Sequence, residues 1–254
     1  MNYLKAEIQK YNRRIARIED NPDPTKLKCN KLLYEMWRDA RIQALKEWEE
    51  GRPVCYLGVG PHVRHYRASG FSVQHLPQAA DRAGSESARY FAIARNHGFP
   101  DNCCDRIQVQ IGMALSGDIP PPSYVTTSHG ECVPACYGPR WLAAHFRAPL
   151  RILCGDTEDT IESLKNLTEQ IQEEIELIDN MALPGIRFDE EKLVAYQKNF
   201  IAAQKIAHEI RELLKTNPCP MSGKDILRMA GFGMEEDPRF VEYYQMMLEE
   251  IKEK

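Results

Sequence analysis

Hydrophobic and polar positions along the 254-residue chain fall into stretches of two different periods. Residues 1–50 read as helical, with a break at Asn21-Pro22-Asp23-Pro24, because each proline disfavours helix in the residue before it. Val54-Cys55-Tyr56-Leu57-Gly58-Val59-Gly60 is a short apolar run ending in glycines, the pattern of a buried parallel strand before its turn. The pattern predicts a helix over 62–69, a strand over 71–76 and a helix over 85–97. In 104–115, Ile107, Ile111 and Ala114/Leu115 recur at helical spacing, and Gly117 with Pro120-Pro121-Pro122 turns that helix into a loop. Residues 123–129 then read as a strand, 138–146 as a helix with Trp141, Leu142 and His145, and 150–153 as a strand. The remainder is helical over 157–181, 189–216, 223–229 and 238–252. Asp156 or Thr157 is the expected cap of the first of these, and Leu183-Pro184-Gly185 separates it from the second.

Strands alternating with helices imply a parallel sheet with right-handed crossovers. The expected architecture is α/β, with a Rossmann/flavodoxin-like parallel-sheet domain over 53–156. A helical segment precedes it over 1–52 and a helical region follows over 157–254. No internal repeat or low-complexity segment interrupts this order.

Charge changes the picture by exclusion. With 33 Lys+Arg against 37 Asp+Glu, the net charge of −4 argues against a dedicated nucleic-acid binder, which would carry a basic domain. No apolar run approaches the ~20 residues that cross a bilayer, so no membrane partner is expected. The opening MNYLKAEIQKYNRRIARIED is too polar for a signal-peptide core. The expected location is the cytoplasm, and there the eight cysteines are thiols or metal ligands rather than disulfides.

Residues 51–150 hold His62, His65, His75, His97, His129 and His145, five cysteines, nine arginines and no lysine, which concentrates the chemistry there. The arginines suit bidentate contacts to a phosphate. His62 and His65 are candidate proton donors, although His62, Arg64 and His65 read more simply as an exposed helix face. Between 157 and 181, Glu158, Asp159, Glu162, Glu169, Glu173, Glu174, Glu176 and Asp179 stand against Lys165 alone, a solvated helix face.

Cys103 and Cys104 follow Asp101-Asn102, two good N-cap residues, and so lie at or just before a helix start. Cys132 follows the strand over 123–129 in the turn His129-Gly130-Glu131-Cys132. Both positions fall at the carboxyl edge of the sheet, where open α/β folds place their sites. Helix N-termini there stabilise thiolates and an anionic cluster bound by them. Cys136, four residues after Cys132, is a possible further ligand. Cys55 and Cys154 lie in apolar strand-like segments as small hydrophobes, and Cys29 and Cys219 in peripheral helical or proline-bounded segments. Spacing leaves three readings open: incidental thiols, a closed zinc site from Cys132, Cys136, His129 and Cys103 or Cys104, and an iron–sulfur cluster with fewer protein thiolates. Glu131 is either a group beside the ligands or a solvated loop carboxylate.

Cys104-Asp105-Arg106-Ile107-Gln108-Val109-Gln110-Ile111-Gly112-Met113-Ala114-Leu115-Ser116-Gly117, followed by Ile119-Pro120-Pro121-Pro122-Ser123-Tyr124, forms one long motif. It is similar to the block around the first cluster cysteine of the benzoyl-CoA reductase / 2-hydroxyacyl-CoA dehydratase family (2-hydroxyglutaryl-CoA dehydratase D-component type). The second cysteine after the strand, Cys132, and His145-Phe146-Arg147-Ala148-Pro149-Leu150 continue the likeness. So do Gly185-Ile186-Arg187-Phe188-Asp189-Glu190-Glu191-Lys192-Leu193, Pro218-Cys219-Pro220-Met221-Ser222-Gly223 and Val241-Glu242-Tyr243-Tyr244. Together these stretches span most of 33–252 in consistent order.

The resemblance implies an iron–sulfur subunit acting on CoA thioesters. Cys104 and Cys132 take the positions of the two N-terminal ligands of a [4Fe-4S] cluster, with Cys103 and Cys136 as neighbours. It also implies a related cluster-bearing subunit and an ATP-hydrolysing iron–sulfur activator protein. The electron that activator delivers reduces the thioester-activated acyl-CoA to a ketyl-type radical, in dehydration or in aromatic-ring reduction. Glu242-Tyr243-Tyr244 inclines the likeness toward the reductase branch. Two departures accompany it: family subunits continue into a second α/β domain that supplies another ligand, and the hydroxyl residue and glutamates after the first strand are replaced by Gly58-Val59-Gly60-Pro61-His62-Val63-Arg64. Other readings are therefore a truncated, non-catalytic assembly subunit of such a complex and a zinc-stabilised α/β binding protein.

Overall fold

A computed structural model of the chain describes residues 2–21, 23, 25–59, 63–129, 132–155, 160–229, 234 and 236–253. The expectations placed on Gly60, Pro61, His62, Gly130, Glu131 and residues 156–159 lie outside the described residues. The chain divides into two compact units, one built on Ala44–Asp189 with Met1–Tyr3, the other on Leu4–Gln43 with Glu190–Lys254.

Helices α1 (Asn2–Asp20) and α2 (Asn30–Glu49) come first, then β1 (Val54–Leu57), α3 (Val63–Ala68), β2 (Ser72–His75), α4 (Leu76–Arg82) and α5 (Ser87–Asn96). There follow α6 (Asp105–Leu115), β3 (Tyr124–His129), α7 (Val133–Phe146), β4 (Leu150–Cys154) and α8 (Ile161–Asn180). The last helices are α9 (Glu190–Leu213), α10 (Gly223–Met229) and α11 (Arg239–Lys252).

Among the described residues, four strands form one all-parallel sheet in the order β2-β1-β3-β4, the expected α/β architecture. Strand β1 is buried along its whole length, as its continuous apolar run predicts. The chain reverses its direction of sheet growth between β1 and β3, which makes the carboxyl ends of those two strands the switch point where open α/β sheets place a crevice. Strand β4 lies at one edge, and the Gln170 amide of α8 closes part of that edge: its Nε2 donates to the Cys154 carbonyl at 2.8 Å while its Oε1 accepts the Cys154 N–H at 2.9 Å.

Three elements depart from the sequence reading. Helix α4 is additional; His75 caps it by accepting the Gln78 N–H on its ring nitrogen, and Pro77 fills the first turn, where no N–H is needed. Helix α7 begins at Val133 rather than at 138, with Pro134 in its first turn and Pro139 carried inside it. Helix α8 is capped by Thr160, whose hydroxyl accepts the Ser163 N–H at 3.1 Å, rather than by Asp156 or Thr157.

In the α/β unit, Cys55, Leu57, Tyr66, Phe71, Tyr124, Ile178 and Ile186 form a core cluster that closes α3 and α8 over the sheet. The helical unit has its own core, centred on Leu33, Met36, Ala207, Ile210, Tyr243 and Met247. There the Glu250 carboxylate of α11 accepts the backbone N–H groups of Lys28 and Cys29, each at 2.6 Å, at the start of α2. A carboxylate is well placed at that positive helix end.

Candidate functional site

In a parallel α/β unit the helices run against the strands, so the N-termini of α6 and α7 lie at the carboxyl edge. Cys104 is the N-cap of α6 and Cys132 the N-cap of α7. Neither side chain makes a capping hydrogen bond, and both thiols are exposed. Each sulfur is thus available at the positive end of a helix.

Two packing features hold these helix starts. A Cβ at Gly138 of α7 would lie 2.7 Å from Ile107 Cγ2 of α6, so glycine permits the close approach of the two helices. Gln108 of α6, fully buried, donates through its side-chain amide to the Cys103 carbonyl at 2.8 Å and the Asp101 carbonyl at 3.2 Å. It ties the cysteine-bearing loop to its own helix. Sequence reading assigned Gln108 no role; its signal was a polar residue on the apolar side of the 104–115 repeat.

Cys103 is half-buried. Burial pushes its thiol up, the Cys104 backbone N–H pulls it down, and charge on Cys104 and Cys132 pushes it up again. Cys136 is buried in α7, its N–H bonded to the Cys132 carbonyl at 3.2 Å.

Among the described residues, no three His, Cys, Asp or Glu side chains converge as a closed metal site. The four-ligand zinc arrangement from Cys132, Cys136, His129 and Cys103 or Cys104 is accordingly not built. Cys104 and Cys132 each remain uncommitted at a helix N-terminus.

Two of the cysteines expected to be structural are exposed: Cys154, at the carboxyl end of β4 opposite His129 in register, and Cys219. The apolar run ending at Cys154 stops being buried at its last residue, where an edge strand leaves the sheet. Cys29 and Cys55 are fully buried, and desolvation pushes both thiols up.

Elsewhere the histidine and acid expectations are corrected. Arg64 and His65 are buried, not exposed. Glu174, expected on a solvated face, is also fully buried. Its carboxylate accepts from the Tyr66 hydroxyl at 2.9 Å and the Tyr124 hydroxyl at 2.9 Å, with His65 Nε2 at 3.2 Å. Tyr66 also lies 2.8 Å from the Thr126 hydroxyl. Burial, reinforced by the Glu174 charge, pushes both phenols up. This network fastens α3 and α8 to β3. At the end of β2, burial and the cations Arg82 and Arg106 push His75 down to about 4.

Fold and site together define an α/β protein whose sheet presents thiols at the carboxyl edge, on the N-termini of two packed helices. The model of the family described as 2-hydroxyglutaryl-CoA dehydratase, D-component, matches residues 66–254, and the chain belongs to that family. It is thus a component of the 2-hydroxyacyl-CoA dehydratase type. A search of curated proteins found no match. No helix among the described residues is long and apolar enough to cross a membrane.

Proposed function

We propose that this chain is the iron–sulfur subunit of an ATP-activator-dependent enzyme that acts on CoA thioesters by one-electron chemistry. Cys104 and Cys132 are its cluster ligands, and the partners are a related cluster-bearing subunit and an iron–sulfur ATPase in the cytoplasm. The observation that carries the reading is the pairing of two exposed, uncommitted thiols at the N-termini of α6 and α7, both within the stretch that matches the family.

A [4Fe-4S] cluster bound there supplies a low-potential electron for reduction of a thioester-activated acyl group, toward loss of a hydroxyl or ring reduction. The chain's own residues hold that position. Gln108 fixes the loop before Cys104, Gly138 lets α7 approach α6, and the two helix N-termini would set their positive dipole ends beside an anionic cluster. Cys103 is the adjacent candidate ligand, while the burial of Cys136 favours a packing role. The dehydratase branch is preferred over benzoyl-CoA reduction because the matching family is that of a dehydratase component.

Anaerobic purification of the full chain tests this directly. Brown protein containing iron and acid-labile sulfide, with an electron paramagnetic resonance signal after reduction, is the expected result. Colourless protein with stoichiometric zinc would contradict it.

A further inference from the structure

The helical unit holds a cavity of about 300 Å³ bordered by α1, the loop after it, the start of α2 and α10. That volume is at the lower end of small-ligand sites. Six cations line it, Arg14, Arg17, Lys26, Lys28, Lys224 and Arg228, against Asp23 as the one acid among the lining residues.

The pairing within the cavity leaves charge to spare. Asp23 is committed to Lys26 at 2.7 Å and to the Thr25 N–H and hydroxyl. Arg228 pairs with Asp225 at 2.8 Å. Arg14 and Arg228 both lie over the Tyr34 ring, at 5.3 and 5.6 Å from its centroid, which fixes two guanidinium groups without neutralising them. Arg17, Lys28 and Lys224 have no ion pair among the described residues. Gathering like charges around a concave space costs free energy unless an anion enters.

A second feature points to a ligand rather than to a solvated patch. Asn30 lines the cavity and is 3% exposed, and its Oδ1 is buried without a hydrogen-bond partner. Its Nδ2 donates to the Leu27 carbonyl and to Asp225. A buried acceptor left open beside excess positive charge suits a molecule with both an anionic group and a hydroxyl or amino donor.

We propose that this cavity binds a small molecule through a diphosphate or bisphosphate group, held by Arg17, Lys28 and Lys224 together with Arg14 and Arg228. Asn30 accepts a hydrogen bond from the group that carries the phosphates. The inference does not depend on the cluster, since every residue it uses belongs to the helical unit.

Calorimetric titration of the full chain with inorganic pyrophosphate at low salt is the test. One site per chain is expected, weakening as salt rises. Arg17→Ala and Lys224→Ala are each expected to weaken binding by about tenfold, the loss of one charge-assisted contact. The exposed Lys205→Ala on α9, away from the cavity, leaves it unchanged. Arg17→Lys retains most of the affinity, and unchanged circular dichroism separates lost binding from lost folding. Displacement of pyrophosphate by ADP or by coenzyme A tells which carrier the cavity accepts, and failure of both overturns the assignment of a carrier. No heat at millimolar pyrophosphate, or an equal loss with Lys205→Ala, overturns the site itself.

Discussion

Glu174 occupies one position of the inward stripe of α8, between Ile171 and Ile178, and brings a carboxylate into the core of the α/β unit. His65, Tyr66 and Tyr124 converge on it. Removing it leaves the buried Tyr124 phenol without its acceptor and Tyr66 with Thr126 alone, and an unpaired buried polar group costs about 1–3 kcal/mol. Glu174→Ala is therefore expected to destabilise the protein by about 3–5 kcal/mol in urea denaturation, with a smaller loss for Glu174→Gln, which keeps an acceptor oxygen. A loss below about 1 kcal/mol for the alanine variant would show that the network is dispensable. The acid-rich composition of 157–181 concealed this residue, because composition averages over all faces of a helix. The stripe Ile171, Glu174, Ile178, Met181 was the available signal, one acid at an apolar spacing.

His75 makes a pH prediction at the same scale. Its folded-state value of about 4 lies below the ordinary 6.5 because burial and two arginines disfavour the charged ring. Above pH 6.5 its contribution to stability is complete. As pH falls from 6.5 toward 4 the unfolded chain takes up the proton first, and stability is lost, by up to about 3 kcal/mol. Protonation also removes the acceptor that caps α4. His75→Asn keeps a capping acceptor without the titration, so its stability should lack that acid-side step. Identical pH profiles for the two proteins, measured by denaturant unfolding between pH 7 and pH 4, would refute the assignment.

The pair α6 and α7 forms the element that presents the site. A Cβ at Gly112 would lie 2.1 Å from the Tyr90 carbonyl oxygen of α5, a backbone atom that cannot yield without moving the helix. At Gly138 the obstacle is the Ile107 side chain, which has some freedom to shift. Gly138→Ala should thus lower stability by about 1–3 kcal/mol, and Gly112→Ala by more. Thermal unfolding of the two variants checks the order, and a larger effect at Gly138 would contradict this account of the packing. Most helix and strand positions were legible from periodicity, including α10 and the start of β3. Proline placement was less legible: Pro77 and Pro139 gave no sign of which helix turn each would occupy, since that depends on caps at His75 and Cys132.

Across the whole molecule, the sequence held the parallel sheet and the two helix-start cysteines in view because both follow from short local patterns. It did not disclose that residues 4–43 and 190–254 build a common helical unit, or that cations from α1, the loop after it and α10 gather around one cavity. Such groupings arise from contacts between segments nearly two hundred positions apart, which no local pattern encodes. The exposure of Cys154 and Cys219 has the same origin, since burial belongs to the packed chain rather than to the run of apolar letters around a residue.

The central claim is that Cys104 and Cys132 hold an iron–sulfur cluster on the paired helix N-termini. Iron and acid-labile sulfide content of anaerobically purified Cys104→Ala and Cys132→Ala, compared with Cys55→Ala and Cys219→Ala, tests it most directly. The account predicts loss of the cluster in each of the first two and its retention in the last two. Full iron and sulfide in both Cys104→Ala and Cys132→Ala would contradict it.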